Sequence, residues 1–399
     1  MIVRMTARPR LTPALLAVLS FLAAIGPFAT DLYLASFTDI ARDLGAPASS
    51  VQLTLTSFLL GMGIGQLILG PLSDQLGRRP VLVVSLSVFA LASVLMVFSP
   101  NIIVFIALRA LQGITGAAGV VVSRAIAVDL SEGAAAIRAI SLIAMFVGLG
   151  PLVAPPIGGG ILQLGDWRTV LGTLAVIAVA MFGLALAFVP ESLPPEARRS
   201  SGLRTALQSF GFLLRTHEFL LLMCVFGLGF GSMMAYISAS PFIGQLILGM
   251  PPFVYALAFA SGACAMILAN SINARLAGRV RPQRMLLLGT SLSLAAGIAL
   301  TLFAATDTLS IPAFIACAFT LTGGTGLIMS NASALALTLA ARSRGAGSAL
   351  LGAAQFTVGG LASPLVGAWG EHTALPMAVF VLAASTLACA GALAYARQV

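Results

Sequence analysis

Asp31 and Arg109 are ionisable side chains set in segments that otherwise read as hydrocarbon. No other charge falls between Ala14 and Phe37, or between Ile102 and Val122. A charge near the middle of a membrane-spanning helix costs about 2.5–3.5 kcal/mol on insertion scales, so such residues are usually retained for handling ions or substrates and need a partner. Counted from the nearer ends of their segments, both lie roughly 10 Å below one membrane surface, at about 1.5 Å of rise per residue. The spacing predicts an intramembrane pair: an acid that can exchange a proton and a cation that answers its charge. A purely structural ion pair holding two helices together is the alternative.

The elements that must position these groups follow from composition. The chain of 399 residues is 59% hydrophobic and 8% charged, with a mean hydropathy of +1.06. Soluble domains carry about 25% charged residues. Apolar runs long enough to cross a bilayer of about 30 Å recur along the whole length, at 14–37, 51–72, 79–98, 102–123, 139–163, 168–189, 217–238, 253–273, 285–305, 310–333, 346–368 and 375–396. They do not alternate with period two, which excludes a membrane β-barrel. The expected fold is an all-α membrane protein of twelve transmembrane helices, with no room for a soluble domain.

All 21 basic residues are arginine. With the N-terminus on the cytoplasmic side, the inner segments hold Arg4, Arg8, Arg10, Arg78, Arg79, Arg124, Arg138, Arg198, Arg199, Arg204, Arg215, Arg275, Arg279, Arg281, Arg284, Arg342, Arg344 and Arg397. The outer loops keep only Arg42 and Arg168. That asymmetry obeys the positive-inside rule for an even number of spans and places both termini inside. The net charge of +9 is thereby spread over short inner loops. It reads as topology and contact with anionic lipid rather than as a nucleic-acid surface.

Other chemistry is thin. Arg4, Arg8 and Arg10 precede an apolar run longer than a signal-peptide core, so that run is expected to stay as the first span. Cys224, Cys264, Cys317 and Cys389 fall inside spans without metal-ligand or redox spacing and read as small apolar residues. His217 and His372 lie at opposite membrane faces. No nucleophile–base pair or metal cluster stands out, so neither an enzyme nor a cofactor-dependent protein is expected.

The chain divides near its midpoint. The segment 190–216 carries Pro190, Pro194, Pro195, four arginines and Ser200–Ser201, a linker composition between 1–189 and 217–399. The halves echo each other: Gly77-Arg78-Arg79-Pro80 follows the second span, and Gly278-Arg279-Val280-Arg281-Pro282 follows the eighth. Two six-helix bundles related by an axis along the membrane normal are what repeated transporter halves give.

Four motifs carry a family resemblance. Gly70-Pro71-Leu72-Ser73-Asp74-Gln75-Leu76-Gly77-Arg78-Arg79-Pro80-Val81-Leu82 closely resembles the signature between spans two and three of the major facilitator superfamily. Arg109-Ala110-Leu111-Gln112-Gly113 resembles that family's span-four element, whose arginine is linked to proton coupling. Gly150-Pro151 through Pro155-Pro156-Ile157-Gly158-Gly159 resembles the span-five element typical of antiporters; packing alone is the other reading of it. Pro27-Phe28-Ala29-Thr30-Asp31-Leu32-Tyr33-Leu34 resembles the span-one stretch of the Bcr/CflA group of drug exporters, as do Gln52-Leu53-Thr54-Leu55 and Ser240-Pro241-Phe242. Ala35 replaces the proline usual after Tyr-Leu. No second acid occupies Val18 to Gly26, which argues against cationic drugs and against two protons per cycle.

The resemblance implies proton-coupled efflux of small amphipathic drugs across the bacterial inner membrane by a monomer. The proton gradient would be the energy source, with Asp31 and Arg109 coupling. Gly70, Asp74, Gly77, Arg78, Arg124 and Asp129 would form the inner gate. Tyr33, Gln112, Met145, Tyr236, Ser238, Asn270 and Asn331 are the polar or soft side chains on apolar helices expected to line the cavity; hydrogen bonding or packing between helices is the other reading of each. A symporter or facilitator of a sugar or small metabolite is the alternative on the same fold. A membrane sensor or enzyme is disfavoured by the lack of a soluble domain.

Overall fold

The computed structural model describes residues 11–131, 133–198, 202–341, 344–367 and 373–398. Arg4, Arg8, Arg10, Arg199, Ser200, Ser201, Arg342 and His372 lie outside the described residues, as do the side chains of Arg204 and Arg344. Twelve helices among the described residues are long and apolar enough to span a membrane, and each overlaps one of the twelve expected runs.

The first span is the one that departs most from expectation. It extends to Asp43 and is broken into α1 (Pro13–Ala23), α2 (Ile25–Asp31), a 3₁₀ turn (Leu34–Ser36) and α3 (Phe37–Asp43). Pro27 lies within α2 and can donate no backbone hydrogen bond. Gly158 of the fifth span packs directly on the Leu32 carbonyl, where any side chain would collide. Asp31 is therefore the last residue of a short helix at an interruption, rather than the middle of a long one.

The remaining spans of the first half are α4 (Ala48–Leu76), α5 (Arg78–Val97), α6 (Ile102–Asp129), α7 (Gly133–Leu162) and α8 (Trp167–Phe188). Gly77 joins α4 to α5 at φ +105°, a conformation open to glycine. The Asn101 side chain accepts from the Val104 amide and caps α6. Asp166 and Thr169 form a reciprocal capping box on α8. The Thr169 amide and hydroxyl hold the Asp166 carboxyl below the usual carboxylate range.

The linker contains α9 (Gly202–Leu213), where only connecting chain was expected. The second half is α10 (His217–Phe242), continued by a π-helical turn (Ile243–Ile247), then α11 (Pro252–Leu276), α12 (Pro282–Ala305), α13 (Ile311–Leu339), α14 (Arg344–Gly367) and α15 (Leu375–Gln398).

Within lipid there is little hydrophobic drive between helices, so close approach rests on small residues. A Cβ on Gly61 would stand 2.6 Å from the Ala110 carbonyl, and one on Gly289 would stand 2.8 Å from the Gly324 carbonyl. Those contacts bring α4 against α6 and α12 against α13. Val84, Leu91, Ile103, Val176, Leu302 and Leu387 are exposed, the outward apolar cover that a bilayer solvates.

The halves meet along α4 with α14 and along α7 with α11. At the arginine-poor end of the bundle they are clasped: the Gln52 amide donates to the Ser238 carbonyl at 3.2 Å, and Phe37 and Phe242 lie with ring centroids 6.1 Å apart. Four hydrogen bonds that join the halves lie at this end. Toward the arginine-rich end, α7 exposes Ile140, Leu142, Met145, Phe146 and Leu149. The halves are clasped at the arginine-poor end, and along α4 and α14 they remain in contact as far as Gln66 and Gly352.

Candidate functional site

A cavity of about 250 Å³ lies between the halves. Its wall is aromatic and thioether: Phe58, Phe230, Tyr236, Phe259 and Phe356, with Met62, Met233, Met234, Met266 and Met329. Asp31 and its neighbour Thr30 reach it from α2, Pro151 and Gly148 from α7, and Gln355 from α14. Asp31 is the one charged residue in that lining. Its carboxyl is buried and accepts from the Thr30 hydroxyl at 2.8 Å. The Thr30 hydroxyl in turn lies 3.1 Å from the Gly26 carbonyl.

Arg109 does not meet Asp31. The expected ion pair is absent from the described contacts, and the two side chains occupy separate environments. The Arg109 guanidinium lies between the Tyr33 and Phe58 rings, 4.5 Å from each centroid. Its Nη1 donates to Gln112 Oε1 at 2.6 Å, and Gln112 Nε2 donates to Ser93 Oγ at 2.8 Å. Nε and Nη2 are buried without a hydrogen-bond partner.

The two groups do lie close along the bundle, since Arg109 rests on the ring of Tyr33, two places after Asp31. Direction was the missing part. Across the break in span one, Tyr33 faces α6 and Asp31 faces the cavity.

Of the seven expected cavity residues, Tyr236 lines the cavity, stacked on Phe259 at 6.0 Å and 9°. The other six lie elsewhere. Tyr33 is buried, its hydroxyl 2.9 Å from that of Thr54, and Gln112 serves Arg109. Ser238 bonds back to the Ala235 carbonyl. Asn270 accepts from Ser330, and Asn331 donates to Asn273, both between α11 and α13. Met145 is exposed and absent from the lining. Polar character misled here, because most of the wall is built from phenylalanine and methionine.

The expected gate residues form a cluster at the arginine-rich end. Arg78 pairs with Asp74 at 2.5 Å and with Asp129 at 3.0 Å, and donates to Ser73 Oγ at 2.7 Å. Ser192 donates to Asp129. Arg124 is exposed and makes no ion pair among the described residues. Glu191, not expected from the sequence, joins the cluster: its carboxylate accepts from the backbone amides of Arg78 and Arg79, and a Cβ on Gly77 would stand 2.5 Å from it. A carboxylate at the first turn of α5 is favoured by the helix dipole. These contacts lie within the first half and the start of the linker, so the cluster ties spans two, three and four to the chain that leaves span six, and none of them reaches the second half.

The span-five element is a packing surface. Gly150 presses on Pro27, Gly158 on the Leu32 carbonyl, and Gly159 on Ala256 across the half interface; Pro151 faces the cavity. Gly70 packs near Val121, and Pro155 lies within α7.

A model of the Major Facilitator Superfamily matches residues 17–364. The chain is 36% identical over 96% of its length, and 94% of the relative's, to an uncharacterized MFS-type transporter of Bacillus subtilis. It is 33% identical to a bicyclomycin resistance protein homolog of Haemophilus influenzae, over 90% of each. It is 36% identical to multidrug resistance protein D of Escherichia coli, over 49% of this chain and 50% of that one. Among solved structures, it resembles an inward-facing bacterial homolog of the lysosomal transporter Spinster, with a TM-score of 0.75 at 15% identity over 97% and 99% of the two chains. The xylose transporter XylE of E. coli, in a partially occluded inward-open conformation, gives 0.74 at 15% identity over 97% of each. At that identity the structures speak for the fold alone.

Proposed function

We propose that this chain, which belongs to the major facilitator superfamily, exports small amphipathic drugs from the bacterial cytoplasm in exchange for protons. The observation that carries the reading is the cavity between the halves, whose apolar wall contains a single carboxyl at Asp31. Aromatic and methionine surfaces suit varied amphipathic ligands because they re-pack around them. The arginine asymmetry supports an inner, arginine-rich end and cytoplasmic termini. In that orientation the cavity is closed to the outside.

Asp31 would bind a proton from outside and release it inside as the halves rock about the site. Each proton entering down a membrane potential adds about 2.3 kcal/mol per 100 mV. The resistance proteins among the relatives favour export over import of a sugar or metabolite. Everted membrane vesicles test the direction. An exporter accumulates drug when the lumen is acidified, and dissipating the gradient releases it. Uptake that follows substrate alone, indifferent to the gradient, would leave a facilitator.

The Arg78 cluster gives a second expectation. Partly exposed ion pairs contribute about 0–1 kcal/mol, so Asp74→Asn should leave thermal stability within a few degrees of wild type. It should lower transport several-fold while changing drug binding less than about twofold, on the reading that the cluster gains contacts to the second half when that end closes, because a small bias is then enough to displace a two-state equilibrium. Labelling of cavity cysteines from the cytoplasmic side should rise. Normal transport with unchanged labelling would reduce the cluster to a topological signal.

A further inference from the structure

The arginine-poor end is held by uncharged groups. Gln245 lies in the π-helical turn that ends span seven, and turns of that kind are rare and frequent at functional sites. Its Nε2 donates to the Ala35 carbonyl at 3.1 Å, and its Oε1 accepts from the Thr38 hydroxyl at 2.9 Å. Both ends of one carboxamide are thus committed to one short segment of the opposite half. That segment begins just past the break in span one, four residues beyond Asp31. No other side chain in the described residues bonds the opposite half through both ends of its head group.

We propose that Gln245 is the latch of the arginine-poor end: its carboxamide, gripping Ala35 and Thr38, holds that end closed, and its release opens the cavity there. Neutral hydrogen bonds contribute modestly once exchange with water is counted. A latch made of two of them biases the equilibrium without freezing it, which suits a gate that must open in every cycle. The inference rests on the alternating-access reading, but it is tested by labelling rather than transport. A protein that opens alternately and moves no drug would fail that reading and keep this one.

The test uses a background in which Cys224, Cys264, Cys317 and Cys389 are replaced by serine, with one reporter at a time. Ala239→Cys lies buried at the closed end, and Gln355→Cys lies on the cavity wall. A membrane-impermeant maleimide is applied to right-side-out vesicles for the first and to everted vesicles for the second. Gln245→Leu, which removes both bonds at similar bulk, should speed labelling of Ala239→Cys about tenfold and slow labelling of Gln355→Cys. Thr38→Val, which removes one bond, should give an intermediate rate, and it carries the test if leucine at 245 prevents insertion. An unchanged rate at Ala239→Cys overturns the proposal. So does faster labelling there without slower labelling at Gln355→Cys, because that pattern is local fraying of a helix tip and not a gate.

Discussion

Asp31→Asn should abolish gradient-driven efflux, by at least about a hundredfold, while leaving insertion and thermal stability close to wild type. Asparagine keeps the shape of the side chain and can still accept from Thr30, so packing is preserved. What disappears is the one proton-exchanging group in the cavity wall. A hundredfold corresponds to about 2.7 kcal/mol, modest against the gradient energy that coupling delivers. Efflux at the wild-type rate against a gradient by Asp31→Asn would overturn the coupling role.

The same substitution separates charge from shape in ligand binding. Methyltriphenylphosphonium carries a permanent positive charge; triphenylphosphine oxide is of similar size and neutral. A carboxylate about 4 Å from a cation is worth up to about 4 kcal/mol at an effective dielectric of about 20. Asp31→Asn should therefore weaken the phosphonium at least tenfold and leave the oxide within about twofold. Lower pH should act in the same direction on wild type, since a proton on Asp31 removes the charge the cation needs. The absence of a second acid in span one weakens the case for cationic drugs, while one carboxyl faces the apolar cavity; the two probes decide between these readings. Equal loss of both probes would mean that the substitution had damaged the cavity itself.

The spans were legible because each is a long apolar run bounded by arginine, glycine or proline, and length alone fixes how many can cross. The break after Asp31 was not, because Leu32 and Tyr33 are unexceptional residues in such a run. It depends on Gly158, which is more than a hundred positions away and packs on the Leu32 carbonyl. The cavity wall was hidden for a different reason. Met62, Met233, Met266 and Phe356 look like lipid-facing or core residues in sequence, and only the arrangement of two bundles turns them toward one space. Glu191 was obscured by its place in a proline-rich linker, where a carboxylate reads as solvated. Its function comes from the two backbone amides that α5 leaves free at its start.

Arg109→Met should lose transport about as completely as Asp31→Asn, and it should do so without destabilising the fold. The guanidinium is fully buried, has no carboxylate partner among the described contacts, and leaves two nitrogens unsatisfied. Two aromatic faces and one amide oxygen compensate it in part; a desolvated cation–π contact is worth about 2 kcal/mol. Methionine of similar length fills the slot between Tyr33 and Phe58 without that desolvation cost, and replacing buried charges with apolar side chains is often neutral or stabilising. The proposed coupling then requires that Arg109 meet an acid in another state of the cycle. Asp31, two residues from the ring on which Arg109 rests, is the nearest acid along that helix. Arg109→Lys should recover little, because an ammonium cannot lie flat between two rings while bonding Gln112. A double-mutant cycle in transport should show strong coupling between positions 31 and 109, each single change costing nearly as much as both. Additive losses, or a melting temperature that falls by more than about 5 °C in Arg109→Met, would assign the arginine to the architecture of span four instead.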